Sequence, residues 1–329
     1  MIITRTPLRI SICGGGTDLP SFYTKEQGAV VSASINKYIY ITINRLSRYF
    51  DHKISLKYSR TELVNSVDDV RHPIIREAMK LTGVVENIEI TSMADIPAGT
   101  GLGSSSSYAV GLLHALHSFK GEAVSAGRLA EEACKIEIEL LGDPIGKQDQ
   151  YIAAYGGMCH IRFNPDESVF VDPVICSYAT KKALQDNLAI FFTGGVRRAG
   201  DILEIQKATT HQKMEVLRQM KDLCADMLET MREARSLSRF GEILHEGWER
   251  KRSLVDSISN DSINHYYEQA RKAGAIGGKV LGAGGGGFLL FYVEPHKRNH
   301  VRQALKALPE LPFMFEPQGS KVIYISDDL

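Results

Sequence analysis

The 329-residue chain is 43% hydrophobic and 24% charged, with 39 Lys and Arg against 39 Asp and Glu. That length allows two domains with sizeable cores, and the balanced charge provides no global field to attract nucleic acid or an anionic membrane. Five widely spaced cysteines with no CxxC pair argue for reduced thiols in the cytoplasm and against a disulfide framework or a zinc knuckle.

The N-terminal stretch MIITRTPLRISICGGG is interrupted by Arg5 and Arg9, so it is not expected to serve as a signal peptide. Within it LRISI alternates, placing Leu8, Ile10 and Ile12 on one face and Arg9 and Ser11 on the other. AVVSASINKYIYITIN reads as two β-rich runs around Asn36-Lys37, a predicted hairpin. ISLKYS follows as a strand and HPIIREAMKLTG as a helix with Pro near its start and Gly at its end. NIEITSM is a strand leading into PAGTGLGSSSS, after which Val110, Leu113, Leu116 and His117 recur at helical spacing. A second helix is predicted over 126–141, and a strand over GGMCHIRF.

The texture changes near 175–190. NLAIFFTGG is a strand, and a long helix follows with Leu217, Met220, Cys224, Met227 and Met231 on one stripe. Further helices are predicted over 240–258, 261–273 and 295–308, with strands near 313–316 and 321–326. The longest apolar run, FLLFYV at 288–293, is too short to span a bilayer. The class is α+β, with helices stacked on antiparallel sheet in the second half.

Three glycine clusters lie at strand ends. The central one, PAGTGLGSSSS, has a strand before it and an amphipathic helix after it, which excludes a slack linker. Two readings remain: a helix-capping turn, or a phosphate cradle in which glycines admit a close ligand and the helix N-terminus points N–H groups at it. It is not a Walker A loop, because Ser104 follows Gly103 where that motif has Lys. GAGGGG at 282–287 fits GxGxxG but is followed by a strand, so it is no dinucleotide fingerprint. It suggests a backbone lying very close to another backbone or to a ligand.

PLRISICGGGTD, PAGTGLGSSSS and LGAGGGGF, in this order, resemble the three motifs of the GHMP kinase superfamily. The resemblance implies a two-domain fold, ribosomal-S5-like over 1–180 and ferredoxin-like over 181–329, with the active site between the domains. It implies ATP and Mg²⁺ as cofactors. It places the nucleotide on Pro97, Gly99, Gly101, Gly103, Ser104, Ser105 and Ser106, and Mg²⁺ on Ser105, with Ser104 as the competing serine. It identifies Asp149 as the catalytic aspartate, acting as base or as a group positioning the acceptor. Arg9 becomes the basic residue that offsets charge, and Gly15, Gly16, Thr17, Asp18, Gly284 and Gly285 become contacts for the substrate.

The second metal ligand has a physical argument as well. At 100° per residue, Leu129, Ala130, Ala133, Ile136, Leu140 and Leu141 share an arc, and Glu137 falls inside it. A carboxylate there must be paired, metal-bound or protonated. His114 and His117, one turn apart, are assigned to helix surface and core edge instead of a metal pair.

TPLRISICGGGTDLPSFY, PIGKQDQYIAAYGGM and FFTGGVRRAGDIL are most similar to the D-glycero-D-manno-heptose 7-phosphate kinase branch. That implies phosphorylation of the anomeric hydroxyl to a 1,7-bisphosphate, on the route to an activated heptose for surface glycans. A fucokinase-like sugar 1-kinase is the near alternative, and a non-catalytic sugar sensor of the same fold is the alternative from another class. A phosphorylated substrate requires cations beyond Arg9; Lys147, Arg197 and Arg198 are the candidates. The expected partners are small molecules only, with a homodimer left open.

Overall fold

The computed structural model describes residues 1–194, 204–205, 210–233 and 236–326. Arg197 and Arg198 therefore lie outside the described residues. Eleven strands are described: β1 (Ile2–Cys13), β2 (Gly28–Arg45), β3 (Ile54–Lys57), β4 (Thr61–Val64), β5 (Ile88–Ala94), β6 (Met158–Phe163), β7 (Val169–Pro173), β8 (Leu188–Phe192), β9 (Gly277–Val280), β10 (Phe288–Tyr292) and β11 (Lys321–Ile325). A large sheet runs β11-β1-β2-β5-β3-β4, with β6 also on β2 and β7 on β6. A separate antiparallel sheet runs β8-β10-β9. The architecture is α+β, as expected.

The predicted hairpin at Asn36-Lys37 does not form. Residues 28–45 make one long strand whose first half pairs with β6 and whose second half pairs with β5. Against β1 the register jumps from Pro7↔Tyr38 to Leu8↔Ile35, so Asn36 and Lys37 are extra residues in a bulge. Pro7 has no N–H to give to the ladder at that point. Distant chain takes up the freed groups instead: Asn36 N–H donates to Met314 O at 2.9 Å, and Asn36 Oδ1 accepts from Met314 N–H at 2.6 Å. Both β-rich runs are real, but they are collinear.

The bulge positions the site. β1 continues past it to Arg9, whose backbone N–H donates to Leu102 O at 3.0 Å and ties the central glycine loop to the strand. The helix Ser104–Phe119 then lies on the sheet with its backbone close in. Thr4 Oγ1 donates to Gly111 O at 2.9 Å, and a Cβ on Gly111 would sit 2.6 Å from Thr6 Oγ1.

The stripe predicted on the long helix Met214–Glu233 is buried throughout. It packs against the large sheet, bringing the Cys224 and Cys13 sulfurs to 3.3 Å, both as free thiols. The helix expected over 295–308 is shorter, Arg298–Ala304 after a 3₁₀ turn. Residues 313–316 form only a bridge from Phe315 to Ile35 instead of a strand, while β11 joins β1 in the large sheet.

Candidate active site

A cleft of about 290 Å³ opens where the three glycine clusters converge. The central loop turns through Gly99, Gly101 and Gly103, all with positive φ, into the helix Ser104–Phe119. Gly103 is the N-cap and supplies no side chain, so the first N–H groups of this helix have no side-chain cap, and its first residues, Ser104, Ser105 and Ser106, line the cleft. The late loop 282–287 packs onto it backbone to backbone. A Cβ on Gly101 would lie 2.5 Å from Leu281 O, and one on Gly282 2.6 Å from Gly101 Cα. The close approach anticipated for GAGGGG is thus an approach to the other glycine loop.

Arg9 is buried and forked onto Asp149: Nε donates to Oδ1 at 2.7 Å and Nη2 to Oδ2 at 2.5 Å. Its remaining Nη1 donates to Gly101 O at 2.6 Å. One guanidinium therefore joins the candidate catalytic carboxylate to the glycine loop. Gln148 Nε2 adds a bond to Asp149 Oδ1 at 3.1 Å, and Ser11 Oγ holds Gln148 Oε1 at 2.9 Å. Asp149 lines the cleft, and its Oδ2, which accepts from Arg9, keeps capacity to accept a further bond.

Asp18 also lines the cleft. Its Oδ1 accepts from Gly16 N–H at 2.9 Å and its Oδ2 from Gln148 N–H at 3.4 Å. Burial raises its pKa, the Gly16 bond opposes that, and the Asp149 charge adds to it. Glu137 is fully buried and accepts from Ser105 Oγ at 2.6 Å and Gln150 Nε2 at 2.7 Å. Burial pushes its carboxyl up to about 7, against the lowering effect of the Ser105, Ser106 and Gln150 bonds.

Glu137 gets there by a route the 100° wheel misses. The helix Ala126–Cys134 widens into a π segment, Lys135–Leu140. Glu137 stays inside, but Leu140, expected on the apolar arc, is 49% exposed. The added width per turn turns Glu139 and Leu140 outward, while Ile138 and Leu141 stay partly buried against the core. His117 is buried deeper than expected, between Glu122 at 2.8 Å and Glu132 at 2.6 Å.

Of the expected site residues, Arg9, Gly15, Gly16, Asp18, Gly99, Gly101, Gly103, Ser104, Ser105, Ser106, Glu137, Asp149 and Gly284 line the cleft. Four others point elsewhere. Lys147 Nζ pairs with Glu167 and sits 4.7 Å over the Tyr23 ring. Thr17 Oγ1 is buried against Gly14 O and Ala29 O. Pro97 O accepts from Thr100 Oγ1, and Gly285 N–H donates to Ile258 O. Lys251, which the sequence reading passed over, lines the cleft at 8% exposure with Nζ on Gly282 O. Its signal was available: on the helix Ser238–Arg252, Phe240, Leu244 and Trp248 are spaced so that Lys251 continues their buried face.

A sheet-and-helix frame closing three glycine loops around an Arg–Asp pair defines a phosphotransferase of the GHMP type. Residues 70–157 match the GHMP kinases N terminal domain and residues 220–310 the GHMP kinases C terminal domain, and the chain belongs to the GHMP kinase family. It is 30% identical over 316 residues to a D-glycero-alpha-D-manno-heptose 7-phosphate kinase of Campylobacter jejuni, covering 93% of each chain. A crystal structure of a D-glycero-D-manno-heptose 1-phosphate kinase from Bacteroides thetaiotaomicron superposes with a TM-score of 0.83 at 26% identity, covering 99% of this chain and all of the other. An L-fucokinase/L-fucose-1-P guanylyltransferase of Bacteroides fragilis is 26% identical over 92% of this chain, which spans 35% of that longer protein. The chain is a GHMP sugar kinase, and kinases of this family use ATP. Among the described residues, no helix is long and apolar enough to cross a membrane.

The glycine loop carries a direct prediction. Gly101→Ala forces a side chain into a φ of +87° and onto the Leu281 carbonyl. It is expected to cost about 2 kcal/mol in urea unfolding and to raise KM for ATP about ten-fold or more. Unchanged values of both would show that the two loops part easily.

Proposed function

We propose that this chain transfers the γ-phosphoryl group of ATP to the anomeric hydroxyl of D-glycero-D-manno-heptose 7-phosphate, giving the 1,7-bisphosphate. The observation that carries the reading is the convergence of Asp149, Arg9 and Asp18 on the uncapped helix N-terminus at Ser104–Ser106. The Campylobacter relative supplies the choice of sugar.

In this reading the acceptor O–H donates to Asp149 Oδ2, with Arg9 holding that oxygen in place. Asp18 accepts from a sugar hydroxyl. The sugar oxygen gives up its proton to Asp149 Oδ2 and bonds to the γ-phosphorus as the bond to the β–γ bridging oxygen breaks, and ADP leaves. The N–H groups of Ser104–Ser106 carry the phosphate charge. Ser105 Oγ and the Glu137 carboxylate, one hydroxyl and one hard carboxylate 2.6 Å apart, suit Mg²⁺, which takes few protein ligands alongside phosphate oxygens. Gln150 Oε1, buried without a partner beside Glu137, adds polar capacity there. When bound, the ion neutralises charge on the β- and γ-phosphates. The unpaired thiols suit a cytoplasmic location.

The test is ADP release with ATP, Mg²⁺ and a panel of heptose 7-phosphate, heptose 1-phosphate, heptose and L-fucose. The proposal expects the 7-phosphate to give the highest kcat/KM by about ten-fold or more. Highest turnover of fucose would favour the fucokinase-like alternative suggested by the Bacteroides fragilis relative. Thermal shifts with a sugar but no turnover of any would mark a sensor.

A further inference from the structure

The cleft holds a conspicuous imbalance of charge. Among the described residues lining it, the carboxylates are Asp18, Glu137, Asp143 and Asp149, and the cations are Arg9 and Lys251. Arg9 is committed to Asp149 and the glycine loop. Lys251 comes off the end of the helix Ser238–Arg252, where its stem continues the face of Trp248 and Leu244. Its ammonium reaches the cleft with a bond to Gly282 O, and among the described residues no carboxylate lies within ion-pair distance of it. Gly282 is itself packed on Gly101 of the phosphate loop.

An ammonium desolvated without a counter-ion is costly. Among the described residues, two of its three N–H donors have no acceptor. We propose that Lys251 is the phosphate-recognising cation of the cleft, binding an anionic phosphate oxygen carried in by a substrate. The proposal rests on the kinase chemistry and not on the identity of the sugar. The phosphate is either the terminal one of ATP or the one on a sugar phosphate.

Burial brings the Lys251 pKa down to about 7, helped by the positive charges of Lys279 on β9 and Arg9 on β1, while Asp18 and Asp149 oppose the shift. Lys279 is occupied elsewhere, donating to Ile12 O at 3.0 Å outside the cleft lining. An arriving phosphate keeps Lys251 protonated, so binding takes up a proton when the free protein is above neutral pH.

The experiment uses the full chain as wild type, Lys251→Met and Lys251→Arg. Calorimetry gives Kd for ATP and ADP with Mg²⁺ from pH 6 to 9, and steady-state kinetics give kcat/KM for heptose 7-phosphate. Lys251→Met is expected to weaken the phosphate ligand about 30-fold or more, and Lys251→Arg to recover most of that. Wild-type affinity should fall by up to ten-fold per pH unit above neutrality, and this slope should be absent in Lys251→Arg. A loss for ATP but not ADP assigns the terminal phosphate; a loss confined to heptose 7-phosphate assigns the sugar phosphate. If Lys251→Met does not fold, the Lys251→Arg profile decides alone, and a slope that persists there overturns the proposal. No loss for ATP, together with no loss or no wild-type turnover for heptose 7-phosphate, also overturns it. Failure of wild type to use heptose 7-phosphate counts against the heptose reading, while the ATP and ADP titrations still test Lys251.

Discussion

Asp149→Asn is expected to lower kcat by about a thousand-fold, within the usual range for removing a general base, while Kd for ATP stays within about three-fold. The carboxylate has two tasks that an amide cannot combine. It accepts both prongs of the Arg9 fork, at 2.7 and 2.5 Å, and it offers Oδ2 to the acceptor hydroxyl. In the Asn variant one position carries N–H₂, which meets an Arg9 donor in either orientation and, at the Oδ2 position, also removes the acceptor needed by the hydroxyl. Arg9 then loses a charged anchor but keeps Gly101 O, so the glycine loop and nucleotide binding should survive. Single-turnover kinetics isolate the chemical step from ADP release, and calorimetry reports the nucleotide. A variant retaining more than a tenth of wild-type kcat would restrict Asp149 to holding Arg9.

The parts of this site that were legible in the sequence are those set by local backbone chemistry. Gly99, Gly101 and Gly103 before a run of serines specify a turn into a helix, and they sit where that pattern places them. Arg9 was legible as the polar face of an alternating strand, and Glu137 as a carboxylate on an apolar arc. The misses have distant causes. Asn36-Lys37 reads as a turn because nothing local reveals that Met314 and Phe315 will pair there. Leu140 was misplaced because a π segment breaks the helical period just past the carboxylate it helps to bury. Lys251 lies within ERKRS, which looks like a solvated basic helix end; only the spacing from Trp248 and Leu244 separates it from its exposed neighbours. Lys147 failed the other way: its sequence neighbours line the cleft, but its side chain leaves for Glu167.

Glu137→Gln is expected to lower kcat by two to three orders of magnitude, the scale of losing metal-borne charge stabilisation, and yet to stabilise the ligand-free protein. The carboxyl is buried with its pKa raised from 4.5 to about 7. A group raised on folding contributes stability that is fully present below its unfolded pKa and lost as pH rises through the folded one. For Glu137 that window runs from about pH 4.5 to pH 7, and the full deficit, reached near pH 8, is up to about 3 kcal/mol. A glutamine removes the deficit at little steric cost. Its carbonyl can still accept from Ser105 Oγ, and its N–H₂ would oppose Gln150 Nε2. Turning the Gln150 amide over resolves that, because Gln150 Oε1 is buried and has no partner to lose. Urea unfolding without nucleotide or metal should therefore give similar stabilities for the two proteins at pH 5, with the variant ahead by 1–3 kcal/mol at pH 8. The Mg²⁺ dependence of ATP affinity should flatten in the same variant. Stability lost at both pH values would mean that the Ser105–Glu137–Gln150 cluster is a structural clamp, with its charge already compensated in the free protein.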